Sequence, residues 1–155
     1  MSETLQKITA IWRHIEEVQK NCFFISEKLI ANDQEELARQ LLTNSLIHDQ
    51  SKFRGIEWEY LNGSCDEEKL KLAVHQHNTT NPHHPEYWDG IHSMPEVYVA
   101  ELVADWKARS SDFGTSLPEW IDNGAAERFN YNKKQIIYKK IMKFTNLLLE
   151  KPFSQ

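Results

Sequence analysis

Residues 8–29 read ITAIWRHIEEVQKNCFFISEKL, and within them Ile8, Ile11, Ile15, Val18, Cys22, Ile25 and Leu29 recur at steps of three and four. That spacing returns each apolar side chain to one face of a helix, so the stretch predicts a long amphipathic helix over roughly 4–30. The same period carries on down the chain. Asn32 or Asp33 is the expected cap of a second helix, whose buried side is Leu37, Leu41, Leu42 and Leu46 and which ends near His48-Asp49. Asp66 opens a third, with Leu70, Ala73, Val74 and then His77 on its apolar face. Ser93-Met94-Pro95-Glu96 reads as a capping box with an early proline, starting a helix through Asp105 and Trp106 to about Arg109. Ser116-Leu117-Pro118-Glu119 repeats the signal for a short helix, and residues 132–150 form the last, with Ile136, Ile137, Ile141, Phe144 and Leu148 along one face. No run of alternating β-branched residues and no fixed-period repeat interrupts this pattern, so the fold class is all-α, five or six helices around one core.

Composition sets the outer limits. A chain of 155 residues fits one domain, and 40% apolar with 26% charged residues and five Trp is a globular composition rather than a disordered one. No stretch approaches the roughly 18 to 20 uncharged apolar residues of a membrane span, and the MSETLQK start lacks a signal-peptide pattern, so a cytoplasmic protein without a membrane partner is expected. Cys22 and Cys65 form no C-x-x-C pair, which argues against a disulfide scaffold or a zinc ribbon. A net charge of -5 leaves no footprint for duplex nucleic acid, and the lysines at 133, 134, 139, 140 and 143 read as the solvated face of the last helix. Exposed aromatics near the C-terminus, Phe153 for example, would permit a homodimer.

The histidines carry the chemistry. Five of seven lie between residues 75 and 92. Taking the ionisable residues on or beside apolar faces gives an ordered set: His14, His48-Asp49, His77, His83-His84 and Asp105. Imidazole nitrogen and carboxylate oxygen together are ligands for zinc, iron, manganese or nickel, and the lack of cysteine points away from a closed structural zinc site. An inward-facing Asp105 beside Val103 and Trp106 needs a cationic partner, a metal or an Arg or Lys, because an unpaired buried carboxylate is prohibitive. Of His75 and His77 the apolar face favours His77, and His92 falls outside this set and is assigned to the surface. The loop NTTNPHHPEYWDGIHSMPE, with three prolines and one glycine, is long enough for a functional role. Its Tyr87 and Trp88 read first as plugs that seal the loop and second as a platform for a base or sugar. Trp106 and Trp120 are assigned to core packing.

The order His, His-Asp, further histidines, then Asp resembles the HD superfamily of metal-dependent phosphohydrolases, whose fold is a compact helical bundle. The residues that carry the resemblance are His14, LIHDQSKF (46–53), HNTTNPHHPEYW (77–88) and VAELVADW (99–106), so a metal-site core over about 10–110 and C-terminal helices over 116–150 are expected. The wording of these segments looks most like the branch that includes the HD-GYP phosphodiesterases and like a family of small bacterial and phage proteins. The Gly-Tyr-Pro triplet is missing after Asp89-Gly90, which points away from cyclic dinucleotides.

The resemblance implies one or two divalent ions, drawn from manganese, zinc, nickel, magnesium and iron. His14, His48, Asp49 and Asp105 would hold the first, with Asp49 able to bridge; His77, His83 and His84 would bind the second or touch the phosphate. Asp49, Lys52 and His84 are the catalytic candidates, with Lys52, Tyr87 and Trp88 facing substrate and Glu57 and Glu86 orienting histidine N–H groups. The expected activity is hydrolysis of a small phosphorylated molecule, a nucleotide first. A di-iron oxygenase built on the same ligands and a non-catalytic metal- or nucleotide-binding protein are the alternatives.

Overall fold

The computed structural model describes residues 2–61 and 66–150, and among these every regular element is a helix. Cys65 and Phe153, on which the expectations about a bridge and a dimer contact rested, lie outside the described residues.

Helix α1 runs Glu3–Ala31, and the Ser2 side chain accepts from Leu5 N at 3.3 Å to cap it. Its stripe is buried as the periodicity requires, with Ile11, Val18, Cys22, Ile25 and Leu29 all inside. Helix α2 is Glu35–Ser45, one turn shorter than expected. Asn32 and Asp33 do not cap it. Asn32 instead closes α1, its Nδ2 donating to Lys28 O at 2.7 Å, and Gln34 stands at the start of α2 without a side-chain cap. Because α2 stops at Ser45, Leu46 falls outside the buried register and is 66% exposed.

A short helix α3, Gly55–Tyr60, precedes α4, Glu67–Thr80, where Asp66 caps as expected by accepting from Lys69 N at 3.1 Å. Ala73 and His77 of α4 are buried, whereas Val74 is exposed. Helix α5, Glu96–Phe113, is the centre of the bundle. The expected capping box does not form there: Ser93 Oγ donates to Asp89 O at 3.2 Å, and Pro95, with its fixed φ, stands at the helix start. The helix runs four residues beyond Arg109, until Gly114 turns left-handed at φ 64°.

Helix α6, Leu117–Trp120, is capped by Ser116, which accepts from Glu119 N at 3.3 Å. It continues through one π-helical turn, Ile121–Ala125, into α7, Ala126–Phe129. The last helix, α8, is Ile136–Leu149. Its expected start at residue 132 fails because local bonds compete with the helix: Asn132 Oδ1 accepts from Lys134 N at 3.0 Å and Gln135 Oε1 from Asn132 N at 2.8 Å. Ile136 is consequently exposed at the new N-terminus, while Ile137, Ile141 and Phe144 are buried.

One hydrophobic cluster joins α1, α2, α5 and α8 through Val18, Ile25, Leu41, Val99, Leu102, Val103, Ile141 and Phe144. Helices α1 and α2 pack together, α5 lies against both, and α8 closes over α1 and α5. Lys143 fastens α8 down by donating to Gln34 Oε1 at 2.7 Å and Glu96 Oε1 at 2.8 Å. Cys22 sits in this core, where burial pushes its thiol well up, away from reactive thiolate. No helix among the described residues is long and apolar enough to cross a membrane.

Candidate metal centre and adjoining cavity

A single residue with unusual backbone sets the geometry of the centre. Asp49 stands at φ 57°, in the left-handed region, between the end of α2 and a 3-10 turn over Gln50–Phe53. Asp tolerates this conformation better than most residues. In a continuing helix, neighbours diverge by about 100°; with the left-handed step, His48 and Asp49 are both buried, at 2% and 1% exposure.

The two oxygens of Asp49 face two groups of ligands. Oδ2 lies 3.4 Å from His14 Nε2 and 3.5 Å from His48 Nε2, and His14 Nε2 in turn lies 2.9 Å from Asp105 Oδ1. Oδ1 lies 3.3 Å from His77 Nε2 and 3.4 Å from His83 Nε2, and His84 Nε2 is 3.0 Å from His77 Nε2. All the histidines and acids expected as ligands are thus brought together. They form two groups able to hold a metal ion, His14–His48–Asp105 and Asp49–His77–His83–His84, and His48 and His83 make a third with Glu101.

The inward-facing donor atoms approach one another as ion pairs: His14 Nε2, His48 Nε2, Asp49 Oδ1, His83 Nε2 and Asp105 Oδ1 are buried and make no aligned hydrogen bond. Buried polar atoms without a hydrogen bond are costly, so a convergence of five of them marks a place that could hold an ion. Divalent cations fit this donor set of imidazoles and carboxylates.

Carboxylates behind the rings fix which nitrogen faces inward. Glu57 Oε2 accepts from His77 Nδ1 at 2.8 Å and from Ser51 Oγ at 2.7 Å. Glu101 Oε1 lies 2.9 Å from His48 Nδ1 and 3.6 Å from His83 Nδ1, so one carboxylate braces a ring from each group. Asp112 Oδ2 stands 3.5 Å from His14 Nδ1. Glu101 and Asp112 were not found in the sequence reading. Glu101 had a signal, since it sits four residues before Asp105 on the same helix face.

Charge in the centre is divided. Burial opposes a charge on His14, but Asp105 and Asp49 outweigh it and lift its pKa to about 9. Burial would raise Asp49, yet the charges of His48 and Lys52 hold it well below the usual carboxylate range. Burial would likewise raise Asp105, but its pairing with His14, 2.9 Å away, and the charge of His48 depress it. Burial, opposed by Asp49, leaves His83 raised on balance. Burial lowers His77, and burial followed by the His83 charge pushes His84 down to about 2. His77 and His84 therefore present neutral nitrogens, as metal ligation or proton acceptance requires.

Lys52, buried one turn after Asp49, donates to Asp49 Oδ2. It also lines a cavity of about 810 Å³ next to the centre, together with His77, His84 and Asp105. The other walls are aromatic and cationic, with Trp106, Phe113, Trp120 and Phe129 beside Arg109 and Arg128.

Two of the expected roles are not met. Glu86 braces no histidine: it is turned outward by the 3-10 turn Pro85–Tyr87 and accepts from Arg128 Nη2 at 2.8 Å. Tyr87 and Trp88 are absent from the cavity lining. Tyr87 is 45% exposed, and Trp88 packs on Tyr98 at 5.4 Å while its Nε1 donates to Pro82 O at 2.8 Å. Trp106 lies in the hydrophobic cluster and Trp120 packs against it, as assigned, and both indoles also line the cavity. His92 is exposed, as assigned, and His75 is exposed as well, in keeping with the preference for His77.

The fold and the centre together define an all-α bundle with a histidine–carboxylate cluster able to hold metal ions beside an aromatic cavity. The chain belongs to DUF5662, a family of unknown function, whose model matches residues 3–150. No curated protein and no solved structure matches the chain.

Proposed function

We propose that this protein is a divalent-metal-dependent phosphohydrolase acting on a small phosphate ester. The observation that supports the reading is the placement of Asp49, whose two oxygens face imidazole nitrogens of two groups next to a cavity that Lys52 lines. His14, His48 and Asp105 with Asp49 Oδ2 would hold one ion, and His77, His83 and His84 with Asp49 Oδ1 a second. A divalent ion bound there lowers the pKa of water and polarises a phosphoryl oxygen. The ordered ligands also match the HD-superfamily resemblance of the sequence.

The chain's own groups supply the rest. Lys52 offers a point cation for the charge that develops on phosphate, which an acidic protein needs at this spot. His84, whose pKa burial and the His83 charge lower, lines the cavity beside His77. In the reaction the water oxygen bonds to phosphorus and the ester P–O bond breaks. One water proton ends on the released alcohol and the other stays with the phosphate.

The test is elemental analysis of the purified chain beside a His48→Ala, Asp49→Ala double variant, followed by phosphate release from small phosphate esters. Metal equivalents in the parent and none in the double variant are expected. Hydrolysis should vanish in Asp49→Asn and persist in His92→Ala. Equal turnover by both single variants would overturn the reading. Two irons with an oxygen-dependent optical change would replace it with the oxygenase, and stoichiometric binding without turnover would replace it with the binding protein.

A further inference from the structure

The cavity carries more aromatic surface than metal chemistry requires. Trp106 and Trp120 meet edge to face, with ring centroids 6.1 Å apart and planes at 88°. Phe129 lies nearly parallel to Trp106, at 6.0 Å and 19°. Trp120 is held in an unusual way. The π-helical turn that follows it brings Gly124 under the indole, where a Cβ would overlap Cε3 and Cζ3 of the ring. Such turns are rare and cluster at functional sites. Here the turn and the glycine together fix where one wall of the cavity stands.

Helix α5 orders the opposite wall. Asp105, Arg109 and Phe113 all line the cavity at four-residue intervals, so the lining passes from centre ligand to cation to ring in steps of about 6 Å. Asn123 of the π-turn adds an amide beside Trp120. A hydrocarbon tail is best served by continuous apolar lining, whereas flat rings interleaved with an amide and a guanidinium suit a flat polar ring.

We propose that Trp120, seated on Gly124, is the wall against which substrate stacks, and that the substrate is a phosphate ester whose alcohol portion ends in a flat, polar aromatic ring. This rests on the phosphohydrolase reading, with the scissile phosphate at the centre and the ring along α5.

The experiment compares adenosine 5′-monophosphate with ribose 5-phosphate, which has the same sugar phosphate without the ring. Binding is measured by calorimetry and turnover by phosphate release, both on the manganese-loaded chain. The parent should favour the ring-bearing ester by about ten-fold or more in binding and in kcat/KM. Trp120→Ala should pull that ratio toward one, and Trp120→Phe should keep part of it. Gly124→Ala, which displaces the indole without deleting it, should also shrink the ratio, and His92→Ala should leave it as in the parent. Equal handling of the two esters by the parent would overturn the inference while leaving the phosphohydrolase reading in place. A preference that survives both Trp120 variants and Gly124→Ala would also overturn it. Ring-dependent binding that responds to Trp120 without any turnover would uphold the stacking wall and overturn the hydrolase. Failure to bind either ester would refute the inference outright.

Discussion

Glu101 offers a perturbation whose effect differs from that of the other carboxylates behind the rings, Glu57 and Asp112. Its Oε1 stands 2.9 Å from His48 Nδ1 and 3.6 Å from His83 Nδ1, and these two rings belong to the two different ligand groups. Replacing Glu101 by glutamine keeps size and shape but removes the charge that aims both Nε2 atoms inward. Loss of such a brace costs about 10- to 100-fold in metal affinity, or about 1.4–2.7 kcal/mol per ion. Because one carboxylate serves two groups, Glu101→Gln should weaken both binding events. Glu57, which braces only His77 at 2.8 Å, provides the contrast, and Glu57→Gln should weaken one event and spare the other. The assay is competition of manganese or zinc against a chromophoric chelator, with far-ultraviolet circular dichroism confirming that each variant is folded. Two ions bound by Glu101→Gln at parental affinity, or a loss confined to one ion, would refute the argument.

Two further outcomes follow from the same geometry and from the core. His14 and His83 gain proton affinity on folding, so their stabilisation is complete below the ordinary value of 6.5 and is lost as pH rises, for His14 through about 9. His77 and His84 lose proton affinity on folding, so their protonation penalises the folded chain as pH falls below 6.5; Asp49 and Asp105 stabilise it above 3.8. The metal-stripped chain should therefore show its highest melting temperature near pH 6.5 in scans from pH 4 to 9.5, and a midpoint still climbing from pH 7 to 9 would contradict the assignment. Phe144, fully buried where α8 closes the core, should cost about 3–5 kcal/mol on truncation to alanine, read as a shift of the urea midpoint at unchanged slope. A loss below about 1 kcal/mol would mean that α8 is not closing the core.

How far the sequence could be read depended on what each residue faces. The α1 stripe was legible because one side of that helix meets the bundle and the other meets solvent, so period and burial coincide. The histidine and carboxylate cluster was legible because imidazoles and carboxylates at apolar positions violate the pattern around them, and only a bound group or a partner makes such a violation stable. The aromatics were legible only in part: Trp88 and Trp106 pack against and within the core as read, but the cavity that Trp106 and Trp120 line was not foreseen. Nothing local distinguishes Trp88, which caps the core beside Tyr98, from Trp120, which fronts a cavity, because that difference is created by the π-turn and by the path of α5. The helix ends at Ser45 and Ile136 were misjudged for a related reason: a left-handed Asp49 and the side-chain bonds of Asn132 and Gln135 outweigh propensity there.

The centre draws its groups from α1, the turn after α2, α4, the loop at residues 83–84 and α5, a span running from His14 to Asp105. Such a constellation cannot persist in the unfolded chain, so any cation it takes up binds the native state alone. By mass action, free ion at a hundred times the dissociation constant would add about 2.7 kcal/mol to the unfolding free energy. A chelator would then act on this protein as a mild denaturant, and the supply of ion around it would govern how long the chain survives proteolysis as well as whether it is competent.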